Sequence, residues 1–194
     1  MKSSEKCKRH IWRRFLTLTL TLTITLMGIV TFYASPALAS LKDDHYDGTI
    51  FTLYGGNGSL VPPKVTLKDS FQRQKPALLV FFVDDSSDCK QFTTVVSQLQ
   101  AYYGRAADFI PLSVDSLPLI PSQDPTQASY YYKGSVPQTV LINQEGKVVF
   151  DESGQVPFEK IDTVFREVFD LLPRSESITL KRRQVNELNT ELVQ

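Results

Sequence analysis

The spacing of apolar residues changes along this 194-residue chain and predicts different elements in successive stretches. Residues 77–83 are all apolar, with several β-branched and aromatic side chains, which predicts a strand buried on both faces. Residues 86–103 instead carry apolar side chains at three- and four-residue spacing, which predicts an amphipathic helix. Ser86 or Ser87 is a suitable N-cap for this helix, and Gly104 is a suitable end.

The remaining pattern predicts an α/β fold with a mixed sheet. Pro111 lies inside a predicted strand and indicates a sheet edge or a bulge, since proline has no N–H to donate. A helix that connects two strands makes them parallel, whereas a hairpin adds an antiparallel pair. The other predicted elements are a short strand over 49–54, a short helix or irregular segment over 65–74, a strand over 107–114, a helical turn over 128–133, strands over 138–142 and 147–150 joined by a hairpin turn, and a helix from Phe158 to Leu172.

The N-terminal residues have the three parts of a secretory signal peptide. Residues 1–14 contain six basic side chains and one acidic side chain, and residues 15–33 contain no charge. The small residues Ala37 and Ala39 then supply an A-x-A cleavage site. We therefore expect residues 1–39 to be a signal peptide that exports the protein. The uncharged run is also long enough to span a bilayer, so a retained anchor that associates with the membrane through 15–33 is the alternative.

The remaining residues divide into an N-terminal extension over 40–64, a domain over 65–173 and a C-terminal tail over 174–194. Without residues 1–39 the chain keeps 15 basic and 20 acidic side chains, which argues against nucleic-acid binding. Only one cysteine, Cys89, and one histidine remain, so an internal disulfide is excluded and a zinc site has little material. The acidic residues at 84, 85 and 88 lack the spacing of a calcium loop. We expect no metal and no cofactor.

Three features over residues 65–172 resemble the thioredoxin fold. The buried strand is followed by a loop and a helix that contains Cys89-Lys90, similar to the second cysteine and following lysine of the W-C-x-x-C-K loop. Val136-Pro137 precedes a strand, as does the cis-proline of thioredoxins, and the hairpin and final helix follow in the same order. Thioredoxins hold extended clients in the groove beside this proline. The resemblance thus implies a binding surface formed by Val136, Pro137, Gln138, Asp85 and Ser87.

The departures from the thioredoxin pattern concern the redox machinery. Ser86 replaces the first, attacking cysteine, Asp85 replaces the tryptophan before it, and Val80 replaces the buried aspartate of the strand. A serine hydroxyl forms no mixed disulfide, so two-thiol exchange is excluded. Cys89 is the candidate thiol, although its acidic neighbours disfavour a thiolate. We expect a non-catalytic binding protein, with single-thiol exchange through Cys89 as the alternative.

A closer resemblance spans nearly the whole chain after residue 39. Segments 46–48, 53–63, 84–90, 103–111 and 169–177 are similar to a cyanobacterial thioredoxin-like family described as thylakoid membrane photosystem I accumulation factors. This resemblance implies location in the thylakoid lumen or at the thylakoid membrane, or alternatively in the periplasm. It also implies a protein client, such as photosystem I subunits or assembly intermediates, and a role in photosystem I accumulation or assembly.

Overall fold

A computed structural model describes Trp12, Arg14, residues 16–27 and residues 40–177. Residues 16–27 are helical, and the hydroxyls of Thr21, Thr23 and Thr25 donate to backbone carbonyls four residues earlier. Among these described residues, no helix is both long enough and apolar enough to cross a membrane. The rest of the predicted signal peptide over 1–39 and most of the predicted tail over 174–194 lie outside the described residues.

The contacts divide the chain into two compact units, Met1–Ala39 and Ser40–Gln194. The second unit contains a four-stranded sheet and four α-helices within its described residues. In chain order these are α1 (Ile50–Leu53), α2 (Leu67–Gln72), β1 (Ala77–Phe82), α3 (Ser87–Tyr103), β2 (Asp108–Ser113), β3 (Gln138–Ile142), β4 (Val148–Ser153) and α4 (Phe158–Val168). A 3₁₀ turn over Ala128–Tyr131 matches the helical turn predicted for 128–133.

The sheet is mixed, with the order β2-β1-β3-β4, as the alternation of elements predicted. Strand β1 is parallel to β2 and antiparallel to β3, and β3 forms an antiparallel hairpin with β4. Every residue of β1 is buried, which explains its unbroken apolar sequence. Pro111 lies in β2 at the edge of the sheet, so the prediction of an edge strand is confirmed.

The two faces of the sheet carry separate cores. The side chains of Leu78, Val80 and Phe82 belong to a large core that includes residues of α1, α3 and α4. Leu79 and Phe81 point to the other face, where they pack with Leu67 of α2 and residues of β2 and β3. Cys89 belongs to the large core, and Val136 packs against both. The beginning of α3 and the Val136–Pro137 segment are therefore both supported by the same sheet.

Two predicted elements differ from the structure. The strand predicted for 49–54 is wrong, because Ile50–Leu53 is a helix. Its first N–H, that of Ile50, donates to the Asp84 carboxylate over 3.1 Å, and this tertiary contact satisfies the helix start. The last helix ends at Val168, before the predicted Leu172, and Asp170 adopts a left-handed conformation with φ of +52°. Such a backbone conformation does not continue a right-handed helix.

The N-terminal extension is an integral part of the folded unit. Ile50 and Phe51 are buried, and the Phe51 ring packs edge-on against Phe82 at a centroid distance of 5.1 Å. Leu60, near the end of the extension, is also buried in the large core. The predicted boundary between 40–64 and 65–173 therefore does not separate two packing units.

Candidate functional site

Ser86 is the N-cap of α3, and the resemblance aligns it with the attacking cysteine of thioredoxins. Its backbone is extended, and its hydroxyl oxygen accepts a hydrogen bond from the Cys89 N–H over 3.4 Å. The Ser86 carbonyl accepts the first intrahelical bond from Lys90 N–H over 2.9 Å. A serine suits this role because its oxygen satisfies an N–H that the first turn of a helix leaves unpaired.

Cys89 lies in the first turn of α3 and is only 2% exposed. Burial raises the pKa of its thiol, and the negative charges of Asp88 and Asp85 add to this effect. The thiolate is the reactive form of cysteine, so a raised pKa and a shielded sulfur both reduce reactivity. The geometry supports a packing role for Cys89.

Two of the three acidic residues around Ser86 accept hydrogen bonds from different segments. Asp84 accepts from the Ile50 N–H, while Asp88 accepts from the Gln155 side-chain amide over 2.7 Å. Asp85 is exposed. Within the described ranges, no group of three His, Cys, Asp or Glu residues is placed to hold a metal ion. The Asp88–Gln155 bond instead ties the beginning of α3 to the segment that follows β4.

The Val136–Pro137 peptide bond is cis, as the resemblance of this segment to the cis-proline element of thioredoxins implies. Pro137 is buried and its carbonyl accepts from the Gly154 N–H over 2.7 Å, while Val136 is half-buried. The preceding residues Gly134 and Ser135 are exposed. This segment therefore offers exposed backbone beside a fixed proline.

Gln138 turns its side chain into the domain. Its amide oxygen accepts from the Lys133 N–H, and its amide nitrogen donates to the Tyr131 carbonyl and the Asp151 carboxylate, each over 2.9 Å. The residue is completely buried. Because these bonds fix the loop before Val136 to the sheet, Gln138 is a positioning residue, and its side chain is not available to a client.

The burial of Lys90 and its contacts with residues 40–47 were not predicted from the sequence. Its side chain is fully buried, and its Nζ donates to Asp47 Oδ2 over 2.6 Å and to Asp43 Oδ1 over 3.1 Å. The carbonyl oxygens of Ser40 and Asp43 each lie 3.0 Å from the same nitrogen. The ammonium also lies 5.5 Å from the centre of the Tyr54 ring. We refer to Lys90, Asp43, Asp47 and Ser40 as the Lys90 cluster.

The charges of the Lys90 cluster stabilise one another. Burial opposes the charge of Lys90, but the hydrogen bonds to Asp47 and Asp43 outweigh burial and raise the pKa of Lys90. The bond from Lys90 lowers the pKa of Asp47, and the Tyr54 hydroxyl, 2.5 Å away, lowers it further. Lys90 likewise lowers the pKa of Asp43. All three groups are therefore charged at neutral pH.

Residues 40–47, which we call the strap, also reach the first N–H groups of α3. The Asp44 carboxylate accepts from the Ser87 N–H over 2.8 Å, and this bond lowers the pKa of Asp44. An anion is favoured there because the helix dipole places partial positive charge at its N-terminus. Ser87, predicted as a client-binding residue, is therefore already bonded through its backbone. The sign of this arrangement in the sequence was the group of acidic residues Asp43, Asp44 and Asp47. Their partners Ser87 and Lys90 lie 43 to 47 residues further along the chain, so local spacing could not pair them.

Comparison with known proteins places these features in a family. Residues 63–169 match the family model described as a thioredoxin-like domain. The chain is also 50% identical over 187 residues to "Thylakoid membrane protein slr1796" of Synechocystis sp., covering 93% of each protein.

Solved thioredoxins are similar to part of the chain at lower sequence identity. A thioredoxin from Fasciola hepatica is 22% identical, with a TM-score of 0.40, and the match covers 52% of this chain and 89% of that one. The Deadhead thioredoxin of Drosophila melanogaster is 20% identical, with a TM-score of 0.41 and coverage of 53% and 93%. The family model spans more than half of the chain, and the Synechocystis relative extends over nearly all of it. This chain therefore belongs to the thioredoxin-like family.

Proposed function

We propose that this protein is a non-catalytic thioredoxin-like binding module that supports photosystem I accumulation or assembly by binding a protein client. One observation carries the proposal: Ser86 caps α3 where the exchange thiol would lie, while Cys89 is buried behind it. Disulfide exchange begins with attack by an accessible thiolate. The beginning of α3 offers no such group and retains only the binding geometry of the fold.

The proposed client surface consists of the exposed backbone at Gly134 and Ser135, the half-buried side chain of Val136, and exposed Asp85. Pro137 and Gln138 support this surface from beneath, through bonds to Gly154 and to the loop at 131–133. An extended peptide can bind such a surface by backbone hydrogen bonds, with an apolar side chain placed against Val136. The surface needs no thiol.

The thylakoid is the proposed location, at the membrane or in the lumen. The name of the Synechocystis relative, a thylakoid membrane protein, supports this compartment. The predicted signal peptide supports export, and the resemblance to photosystem I accumulation factors suggests photosystem I subunits or assembly intermediates as clients. Single-thiol exchange through Cys89 is the competing function, and the burial and raised pKa of Cys89 count against it.

The test replaces the protein in a photosynthetic cell by single-residue variants and measures photosystem I content and captured clients. We expect Cys89→Ser to retain both, since its sulfur has only a packing role. We expect Val136→Asp to reduce client capture about tenfold, as loss of an apolar anchor at an interface does. Val148→Asp is the matched control, because Val148 is a partly exposed valine of the edge strand β4.

The opposite pattern would identify a redox protein. If Cys89→Ser abolishes photosystem I accumulation while its thermal stability is unchanged, and disulfide-linked clients are trapped on the wild type, then Cys89 acts through its thiol. If Val136→Asp and Val148→Asp capture the client equally well, the proposed surface is wrong.

A further inference from the structure

The Lys90 cluster has more negative than positive charge. Asp43 and Asp47 contribute two carboxylates, and Lys90 is the single cation buried between them. His45 lies at the margin, with Nδ1 3.9 Å from Asp43, but its side chain is mostly exposed. A fully buried ammonium with two carboxylates leaves one negative charge uncompensated, and an additional cation at this position would be stabilised.

The backbone of Ser40 lies against the charged groups of the cluster. Its backbone helps to lower the pKa of Asp47, and its side chain helps to lower the pKa of Asp43, both by hydrogen bonding. Its carbonyl accepts from Lys90 Nζ over 3.0 Å. Ser40 therefore contacts every charged group of the cluster. It is also the first residue after the predicted signal peptidase site at Ala39.

We propose that hydrolysis of the peptide bond between Ala39 and Ser40 completes the Lys90 cluster, because the α-ammonium released on Ser40 pairs with Asp47 and Asp43. The inference rests on the predicted cleavage after Ala39 and is independent of the proposed client. Cleavage thus converts a neutral N–H donor into a cation at the point where the cluster lacks one.

The chemical step requires only water and a peptidase of the signal type. Water adds across the Ala39–Ser40 amide, the C–N bond breaks, a carboxylate remains on Ala39, and an ammonium remains on Ser40. An ordinary α-amino group has a pKa of about 8, so it is protonated at neutral pH. The groups that face it are Lys90, Asp43 and Asp47, with the Tyr54 hydroxyl bonded to Asp47.

Completion of the cluster has a structural consequence for α3. The strap holds Asp44 against the Ser87 N–H, so a firmer anchor at Ser40 also holds the beginning of α3 more firmly. The uncleaved precursor has the same strap without the terminal charge. The processed protein is therefore more stable than the uncleaved precursor.

The test compares three proteins that differ only at the N-terminus, which is feasible because Ser40–Gln194 is a compact unit with its own cores. The first begins at Ser40, the second is the same protein acetylated on the α-amino group, and the third begins at Ala37. A fusion partner removed without residual amino acids provides the native ends. We expect the first protein to melt about 2–4 °C above the other two, as an interaction of about 1 kcal/mol produces in a domain of this size.

Two further measurements decide the interpretation. In the Asp47→Asn background the difference between the three proteins should disappear, whereas Asp115→Asn, a change of an exposed aspartate elsewhere, should preserve it. The mass of the protein exported from the full chain should correspond to a first residue Ser40. Equal melting temperatures with Asp47 intact, or an exported protein that begins elsewhere, would overturn the proposal.

Discussion

At the scale of single residues, Ser86 occupies the position that the resemblance to thioredoxins assigns to the attacking thiol. Oxygen at Ser86 accepts the Cys89 N–H and caps α3, whereas sulfur at the same place would supply the attacking nucleophile. The serine therefore stabilises the beginning of α3 in a thioredoxin-like domain. Cys89 behind it contributes to the large core.

Loss of the Ser86 cap should reduce stability by a predictable amount. We expect Ser86→Ala to lower the free energy of unfolding by about 1 kcal/mol, since alanine leaves the Cys89 N–H unpaired. Urea denaturation of the domain measures this change. Ser86→Asp is the matched control, because its carboxylate accepts the same bond and suits the helix dipole. A wild-type midpoint for Ser86→Ala would show that the cap contributes nothing.

At the scale of elements, the strap and α3 are held together by charge. Lys90 has no exposed surface, so its partners Asp43 and Asp47 replace the water that a lysine normally binds. Removal of Asp47 takes the shortest of these hydrogen bonds away from a buried ammonium, which is costlier than loss of an exposed ion pair. The strap is therefore needed to keep the charged side chain of Lys90 buried in α3.

The contribution of Asp47 should depend on pH in a defined direction. Its pKa is lowered in the folded protein, so its stabilisation is complete above its ordinary pKa of about 3.9 and is lost as pH falls through the folded pKa. We expect Asp47→Asn to be less stable than the wild type at pH 7, with a difference that declines below about pH 4. Denaturation of both proteins from pH 7 to pH 2 measures it. A difference that is constant over this range would contradict the assignment, and Asp115→Asn is the control for an exposed aspartate.

At the scale of the whole molecule, the folded unit is larger than the part that matches the thioredoxin-like family model. That model begins at residue 63, yet Ile50 and Phe51 are buried against the sheet. Asp84, in the loop after β1, in turn fixes the beginning of α1. The extension and the family domain therefore fold as one body.

Truncation of one side chain in the extension should reveal this dependence. We expect Phe51→Ala to lower the free energy of unfolding by about 3–5 kcal/mol, the usual cost of removing a buried aromatic ring. Tyr46→Ala, at a residue that is 71% exposed, should change it by less than about 0.5 kcal/mol. Equilibrium unfolding followed by near-UV circular dichroism measures both. Similar values for the two variants would mean that the extension packs only loosely.

Most of this fold could be predicted from local patterns, because its central elements have strong ones. The apolar run of β1, the helical spacing of α3 and the proline at the edge of β2 each depend on neighbouring residues. Helix α1 could not be predicted this way, since its first N–H is satisfied by Asp84, 34 residues away. The Lys90 cluster was missed for the same reason, because its carboxylates lie 43 and 47 residues before the lysine.

The buried position of Lys90 also constrains how this protein can vary through descent. A change of the lysine alone leaves two carboxylates without their cation, and a change of Asp47 alone removes the shortest hydrogen bond to a buried ammonium. Each single substitution therefore gives a less stable protein, whereas simultaneous replacement of both partners does not. The strap and the first turn of α3 should thus be inherited as a matched pair.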